Sequence, residues 1–167
     1  MVDGRTEYDY NTEVARLMEA AARKLGSIQT VICLRDGVGI SGAYRKAIEA
    51  GADAVIELHF NAFNGAASGT ETLCTSDLTD VEFAHIIHGA ICKVFSRGGS
   101  SRGVKAISRS GRGGQNLHAF PAGVNCLVEP GFGDHRDDAA MLIERREAYA
   151  EALIAAVNLW AIKKDLI

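Results

Sequence analysis

The chain has 167 residues, of which 47% are hydrophobic and 23% charged, and its formal net charge is -3. This length and composition predict a single domain with a sizeable core and argue against disorder. The interspersed charges argue against a nucleic-acid partner or an anionic membrane surface, and the absence of any eighteen-residue apolar run argues against membrane insertion.

Helices and strands are predicted to alternate along the chain. Asn11 or Thr12 is expected to cap a first helix that ends near Leu25, where Gly26 stops it. The following predicted elements are a strand at 30–34, a helix at 42–50, strands at 53–59 and 70–74, a helix at 80–95, strands at 103–107 and 124–128, and a helix at 138–162, with loops at 98–101 and 108–123. This order predicts an α/β fold, a three-layer sandwich with a mainly parallel central sheet flanked by helices, formed by residues 1–167.

Two of the predicted strands end in a titratable side chain. His59 follows the apolar run at 53–58, and Glu129 follows the run at 124–128. Ligands of open α/β sheets lie beyond the carboxyl ends of the strands. His59 and Glu129 are therefore candidate site residues, although a strand-end histidine is often only structural. Glu57 should point the same way as His59, because side chains of a strand alternate with period two.

The four cysteines are widely spaced and form no Cys-x-x-Cys pair; they are Cys33, Cys74, Cys92 and Cys126. A structural zinc cluster and a disulfide framework are both disfavoured by this spacing. The first residues lack the pattern of a secretory signal, so the chain is expected to be cytoplasmic when it is synthesised.

Five short motifs occur in order and resemble those of zinc-dependent N-acetylmuramoyl-L-alanine amidases, in particular the phage endolysin members. They lie at residues 3–11, 56–62, 69–72, 102–105 and 127–132, and include His59-Phe-Asn61-Ala and Leu-Val-Glu129-Pro-Gly-Phe. The resemblance implies a peptidoglycan hydrolase that cleaves the amide bond between N-acetylmuramic acid and L-alanine. It also implies action on the cell wall after release from the cell.

The resemblance further implies roles for individual residues. Glu7 and His59 match two of the three zinc ligands of the family, and Glu129 matches the catalytic glutamate that acts on the water. Three N/O ligands leave a zinc position for that water, whose pKa the metal lowers to near 7. Substrate contacts are expected from Asn61, His118 and Arg102.

The family's first zinc histidine, at the end of an opening strand, has no counterpart before Glu7. Three explanations remain open: an N-terminus that is longer than the given one, an internal-start product of a longer gene, or another histidine that completes the site, with His118 and His135 as the first candidates. The alternative function is a truncated, catalytically impaired form that pairs with full-length enzyme or binds peptidoglycan without cleavage. An unfilled strand position next to residues 53–59 would also favour self-association.

The other polar candidates have ordinary explanations as well as functional ones. His85 and His88 could form a metal pair on a helix, but a solvated position and a helix-face position explain them more simply. Four arginines near the glycine-rich loops could meet anionic cell-wall polymer or form a solvated surface; they are Arg97, Arg102, Arg109 and Arg112.

Overall fold

A four-stranded sheet forms the centre of the computed structural model, which describes residues 2, 4–95, 101–121 and 123–167. The strands are β1 (Ala54–Leu58), β2 (Thr70–Cys74), β3 (Ser101–Ala106) and β4 (Val124–Glu129), in the spatial order β1-β4-β2-β3. β1 and β4 are parallel, β2 and β3 are parallel, and β2 and β4 are antiparallel. The prediction of an α/β fold with a mainly parallel sheet is confirmed.

Helices cover both faces of this sheet. They are α1 (Glu7–Leu25), α2 (Gly39–Glu49), α3 (Leu78–Phe95), α4 (Gly114–Leu117), α5 (Arg136–Glu144) and α6 (Arg146–Lys163). α1, α3 and α6 contribute to the larger hydrophobic core on one face, whereas α2 and α4 contribute to a smaller core on the other. The result is the expected three-layer arrangement. No helix in the described part of the chain is long and apolar enough to cross a membrane.

Successive side chains of β4 point alternately into the two cores, which the sheet separates. Cys126 and Val128 belong to the larger core, and Leu127 between them belongs to the smaller one. All six residues of β4 are buried, as expected for a central strand with helices on both faces.

The first helix begins earlier than predicted. Thr6, rather than Asn11 or Thr12, is the N-cap, and it forms a capping box with Asp9 that satisfies backbone N–H groups at the helix start. Gly26 ends the helix in the left-handed conformation, as predicted. The earlier start places Glu7 in the first turn of α1.

Three other boundaries differ from the predictions. α2 begins at Gly39 rather than at 42, and the predicted loop at 108–123 contains α4. The single helix expected at 138–162 is two helices, because Arg145 leaves helical geometry between α5 and α6. Residues 98–100 of the predicted loop at 98–101 lie outside the described residues, and Ser101 belongs to β3.

The predicted strand at 30–34 is wrong. The segment has no strand assignment, because no strand of the described chain lies beside it to supply a hydrogen-bonded ladder. β1 is consequently an edge strand, and all five of its residues are only half-buried.

Candidate active site

The candidate site lies where β1 and β4 end side by side. The two parallel strands pair up to Leu58 and Val128, and the N–H of His59 then donates to the carbonyl of Val128 over 3.0 Å. His59 and Glu129 are thus adjacent residues at neighbouring strand ends. This is the juxtaposition that the sequence predicted for the carboxyl ends of parallel strands.

His59 lies between two carboxylates. Its Nδ1 is 2.8 Å from Oε1 of Glu7, and its Nε2 is 2.8 Å from Oε1 of Glu57. Glu7 also accepts the backbone N–H of Phe60 over 3.1 Å, and the hydroxyl of Tyr44 donates to Glu57 over 2.9 Å. The start of α1 and the end of β1 therefore meet at one imidazole, and α2 reaches the cluster through the bond of Tyr44 to Glu57.

The pKa values of this cluster follow from the pairing. Burial disfavours the imidazolium of His59, but the hydrogen bonds to Glu57 and Glu7 outweigh that effect and raise its pKa to about 9. Burial likewise opposes ionisation of Glu7, yet the hydrogen bond and positive charge of His59 hold the pKa of Glu7 below its ordinary value. At neutral pH His59 and Glu7 therefore form a charged hydrogen-bonded pair.

Glu129 forms a second cluster beside the first. Its Oε2 accepts from Nδ2 of Asn61 over 2.7 Å, and its Oε1 accepts from Nη2 of Arg112 over 3.1 Å. Arg112 also donates to Oδ1 of Asn61 over 3.3 Å. Glu129 is only 2% exposed, whereas the side chain of Arg112 is 72% exposed. A solvent-facing guanidinium from the glycine-rich loop therefore covers a buried carboxyl group.

Burial is also the main influence on the acidity of Glu129. It raises the pKa of Glu129 above its ordinary value, and the charge of Arg112 opposes part of that rise. A raised pKa makes the carboxylate of Glu129 a stronger base, which favours proton transfer in general acid–base chemistry.

Arg102 lies on β3, which β4 and β2 separate from β1. Its Nε donates to Oε2 of Glu71 over 2.8 Å, and its guanidinium lies over the ring of Phe132 at 5.3 Å from the ring centroid. Glu71 is the register partner of Glu129 across β2 and β4 and also accepts from Lys105 over 2.7 Å. Arg102 therefore lines the flank of the site through Glu71 and Phe132.

The structure does not bring the other candidate histidines to this site. His118 contacts the carbonyl of Ile107 through Nε2 over 2.9 Å and lines a cavity with Asp53 and Val124, at the opposite end of β1 and β4. His118 therefore does not lie beside His59 and Glu129. His135 is the N-cap of α5 and accepts from the N–H of Asp138, so it does not complete a metal site.

The two histidines of α3 also lie away from this site. His88 hydrogen-bonds to Thr72 at 3.0 Å and to Ser101 at 2.8 Å, whereas His85 is exposed. Of the four arginines near the glycine-rich loops, Arg97 lies outside the described residues.

The donors present match only part of a zinc site. Glu7 and His59 have the donor types that zinc takes in hydrolases and lie within hydrogen-bond distance of each other. Both ring nitrogens of His59, however, are already engaged by carboxylates. Within the described ranges, no group of three or more His, Cys, Asp and Glu side chains could hold a metal ion. The residues therefore do not fit a closed three-ligand centre, and His118 and His135 do not supply the missing donor.

The sequence predicts for Arg112 either a contact with anionic cell-wall polymer or a solvated basic surface, and not its contact with Glu129. The position of Arg112 in a glycine-rich loop just before β4 was a usable signal, because such loops bring side chains over strand ends. Strand alternation predicts that Glu57 and His59 point to the same side of the sheet. The contact of Glu57 with Tyr44 of α2 could not be predicted, because it depends on tertiary packing.

Comparison with known proteins places this geometry in context. The model of the family described as N-acetylmuramoyl-L-alanine amidase matches residues 1–158 of the chain. No curated protein matches the chain.

Several solved structures share the fold. AmiC2, an N-acetylmuramoyl-L-alanine amidase of Nostoc punctiforme, is 20% identical with a TM-score of 0.81, and the match covers 96% of this chain and 87% of AmiC2. An N-acetylmuramoyl-L-alanine amidase from Clostridium difficile 630 is 22% identical with a TM-score of 0.80, covering 97% and 87%. The catalytic domain of the CD27L endolysin, which targets Clostridia difficile, is 25% identical with a TM-score of 0.72, covering 92% and 83%.

Proposed function

The chain belongs to the N-acetylmuramoyl-L-alanine amidase family, and we propose that it hydrolyses the amide bond between N-acetylmuramic acid and L-alanine in peptidoglycan with Glu129 as the group that moves the proton. Because peptidoglycan lies outside the cell membrane, we propose that the chain acts there after release from the cytoplasm.

The observation that carries this proposal is the buried carboxyl group of Glu129 beside the cluster of Glu7, Glu57 and His59. Glu129 lies at the tip of β4 next to His59, and Asn61 holds one of its oxygens. In amide hydrolysis, water adds to the carbonyl carbon and the C–N bond breaks. Glu129 would take a proton from the water and return it to the departing amine, leaving a lactyl carboxylate and a free L-alanine nitrogen.

We propose Asn61 and Arg112 as the residues that orient Glu129. Asn61 is fixed by backbone bonds at both ends, since its N–H donates to Gly131 and its carbonyl accepts from Gly133, each over 2.8 Å. Asn61 held in this way keeps Oε2 of Glu129 in a constant direction, while Arg112 holds Oε1 from the solvent side. Arg102 is proposed to contact the peptide or glycan on the flank of the site.

Family membership also suggests zinc. We propose that Glu7 and His59 are two of the ligands of a zinc site, because both have donor types that zinc takes and they contact each other. A third donor is not present among the described residues.

A second function is favoured by that incomplete donor set. With only Glu7 and His59 as metal donors among the described residues, the chain would bind peptidoglycan, or pair with a complete amidase, without cleaving the amide bond itself. The two functions predict different products from the same substrate.

The test is product identification by mass spectrometry after incubation of the purified chain with peptidoglycan, with and without added zinc. The amidase proposal predicts free stem peptides that begin with L-alanine, together with glycan strands that carry an intact lactyl carboxylate. Cleavage at glycosidic or peptide bonds would contradict the proposed bond specificity. Binding to sedimented peptidoglycan without any released peptide would support the non-cleaving alternative.

A further inference from the structure

Two cationic side chains share one buried carboxylate at the flank of the candidate site. Oε2 of Glu71 accepts from Nε of Arg102 over 2.8 Å and from Nζ of Lys105 over 2.7 Å. The side chain of Glu71 is 10% exposed, whereas those of Arg102 and Lys105 are 40% and 45% exposed. One negative charge therefore faces two positive charges, and one positive charge stays uncompensated within the group. We call these three side chains the Glu71 cluster.

A β-bulge places Arg102 in this cluster. The register of β2 and β3 shifts next to Glu71, which pairs with Gly103, so Arg102 is an extra residue without a partner on β2. Regular alternation from Gly103 gives Lys105 the same face and would direct Arg102 to the opposite one. Gly103 accommodates the irregularity in the left-handed region, with a φ of +82°. Bulges are frequent beside active sites, where they redirect a side chain.

The guanidinium of Arg102 is held in place while its outer nitrogens stay available. Its Nε donates to Glu71, and its plane lies over the ring of Phe132 at 5.3 Å from the centroid. Among the described residues, no hydrogen bond engages Nη1 or Nη2 of Arg102. Two parallel N–H groups of a guanidinium match the two oxygens of a carboxylate. Arg102 is therefore oriented in advance for a carboxylate ligand.

The Glu71 cluster lies one strand away from the proposed proton carrier. Glu71 on β2 is the register partner of Glu129 on β4, and the Cβ atoms of such partners are about 4.5–5.5 Å apart on one face. Burial raises the pKa of Glu129, and the negative charge of Glu71 raises that pKa further. Phe132, under Arg102, also pairs with Asn61, which holds Glu129. A ligand of the cluster would thus lie close to the bond that is cleaved.

We propose, on the basis of the proposed amidase function, that Arg102 and Lys105 bind the free α-carboxylate of the second stem-peptide residue, a D-glutamate linked through its γ-carboxyl group. With the amide bond of L-alanine at Glu129, this carboxylate belongs to the next residue along the peptide. Two extended residues span at most about 7 Å, which suits a contact on the neighbouring strand. The group occurs in peptidoglycan as a carboxylate or as its amide, so the contact would discriminate between two kinds of cell wall.

Two soluble substrates that differ in one group test this contact. They are N-acetylmuramoyl-L-alanyl-D-isoglutamate and the corresponding isoglutamine, in which a neutral amide replaces the carboxylate. With zinc supplied, the kcat/KM of the parent chain should be at least about tenfold higher for the carboxylate substrate, because hydrogen bonds between charged groups are stronger than those to a neutral amide.

Substitutions of the two cations should reduce this preference. Arg102→Gln and Lys105→Gln should each lower the ratio of the two kcat/KM values severalfold, and Arg102→Lys, which keeps the charge without the paired N–H groups, should restore part of it. Glu71 keeps one cation in either variant, and the melting temperature checks that each is folded. Arg109→Gln is the matched control with the parent ratio, because Arg109 donates to the carbonyl of His118.

A second measurement gives the same comparison without hydrolysis. NMR titration of the chain with N-acetyl-L-alanyl-D-isoglutamate and its isoglutamine analogue should show tighter binding of the carboxylate, and this difference should shrink in Arg102→Gln and Lys105→Gln. Equal binding and equal kcat/KM of the two peptides in the parent chain would overturn the proposal, as would the parent ratio in both variants. Hydrolysis of both substrates without preference would refute only the carboxylate contact, whereas preferential binding without hydrolysis would refute only the amidase function.

Discussion

Oε1 of Glu7 and Nδ1 of His59 lie 2.8 Å apart, although the two residues are separated by 52 positions in the sequence. The contact joins the first turn of α1 to the end of β1 and is part of the cluster in which Glu57 holds the other imidazole nitrogen. Two side chains that could ligate a metal therefore lie next to each other, without a third donor among the described residues.

The first prediction concerns zinc. The chain should retain well under one equivalent after dialysis, because two donors do not provide the three-point grip of a catalytic zinc site. Inductively coupled plasma mass spectrometry of the dialysed protein measures this directly. Glu7→Gln should remove the remaining weak binding seen by titration at raised zinc concentration. A full equivalent in the dialysed chain would show that a third donor exists.

The fold was largely predictable because local patterns and tertiary packing agree over most of the chain. β2 at Thr70–Cys74 and the stop of α1 at Gly26 were predicted at their observed positions. The strand predicted at 30–34 is wrong, because its apolar composition favours a strand only when a neighbouring strand can pair with it. The break at Arg145 carries no glycine or proline signal and depends on how α5 and α6 pack.

The second prediction concerns close packing next to His59. A Cβ on Gly133 would lie 2.3 Å from the ring of Phe60, so Gly133→Ala should displace that ring and lower the free energy of unfolding by about 1–3 kcal/mol. Gly89→Ala is the matched control: nothing lies within 4 Å of its Cβ in α3, and it should raise the free energy of unfolding by about 0.5–1 kcal/mol. Urea denaturation measures both; equal effects of the two variants would contradict the packing.

The third prediction concerns the pH dependence of stability through Glu71. Burial opposes its ionisation, but hydrogen bonds from Lys105 and Arg102 hold its pKa below the ordinary 4.5. Because the pKa of Glu71 is lower in the folded chain than in the unfolded chain, the ionised carboxylate stabilises the fold above pH 4.5. This stabilisation is lost as the pH falls through the folded-state pKa.

Glu71→Gln should therefore lower the free energy of unfolding by about 1–3 kcal/mol at pH 7, with a smaller difference from the parent chain in acid. Denaturation series at neutral and acidic pH measure that difference. A difference that grows as the pH falls would contradict the ion-pair assignment.

The fourth prediction concerns Arg112. Removing its positive charge in Arg112→Ala should raise the pKa of Glu129 further, since Arg112 opposes the effect of burial. The acidic limb of the kcat/KM profile should then move to higher pH, because the carboxylate form appears only above that pKa. Arg109→Ala is the control, because Arg109 lies in the same loop but donates to the carbonyl of His118. A shift to lower pH in Arg112→Ala would contradict the contact.

The site was predictable where chemistry follows strand geometry, and less so where it depends on loops. His59 and Glu129 follow from the ends of parallel strands, and Glu57 follows from alternation. His118 could not be placed by sequence, because the direction of the glycine-rich loop decides which end of the sheet it meets. The same loop carries Arg112 to Glu129, which sequence alone did not indicate.

The most direct test of the account compares Glu129→Gln with the parent chain in the initial rate of stem-peptide release from peptidoglycan in excess zinc. Gln keeps the size of the side chain, but its amide can accept from only one of Asn61 and Arg112, because its NH2 group is a donor. Circular dichroism and melting temperature therefore check that the fold is retained. The account predicts a loss of about 10²–10⁴-fold in rate, whereas Glu19→Gln on the surface of α1 should release peptide at the parent rate. An unchanged rate in folded Glu129→Gln would contradict the assignment of Glu129 as the group that moves the proton.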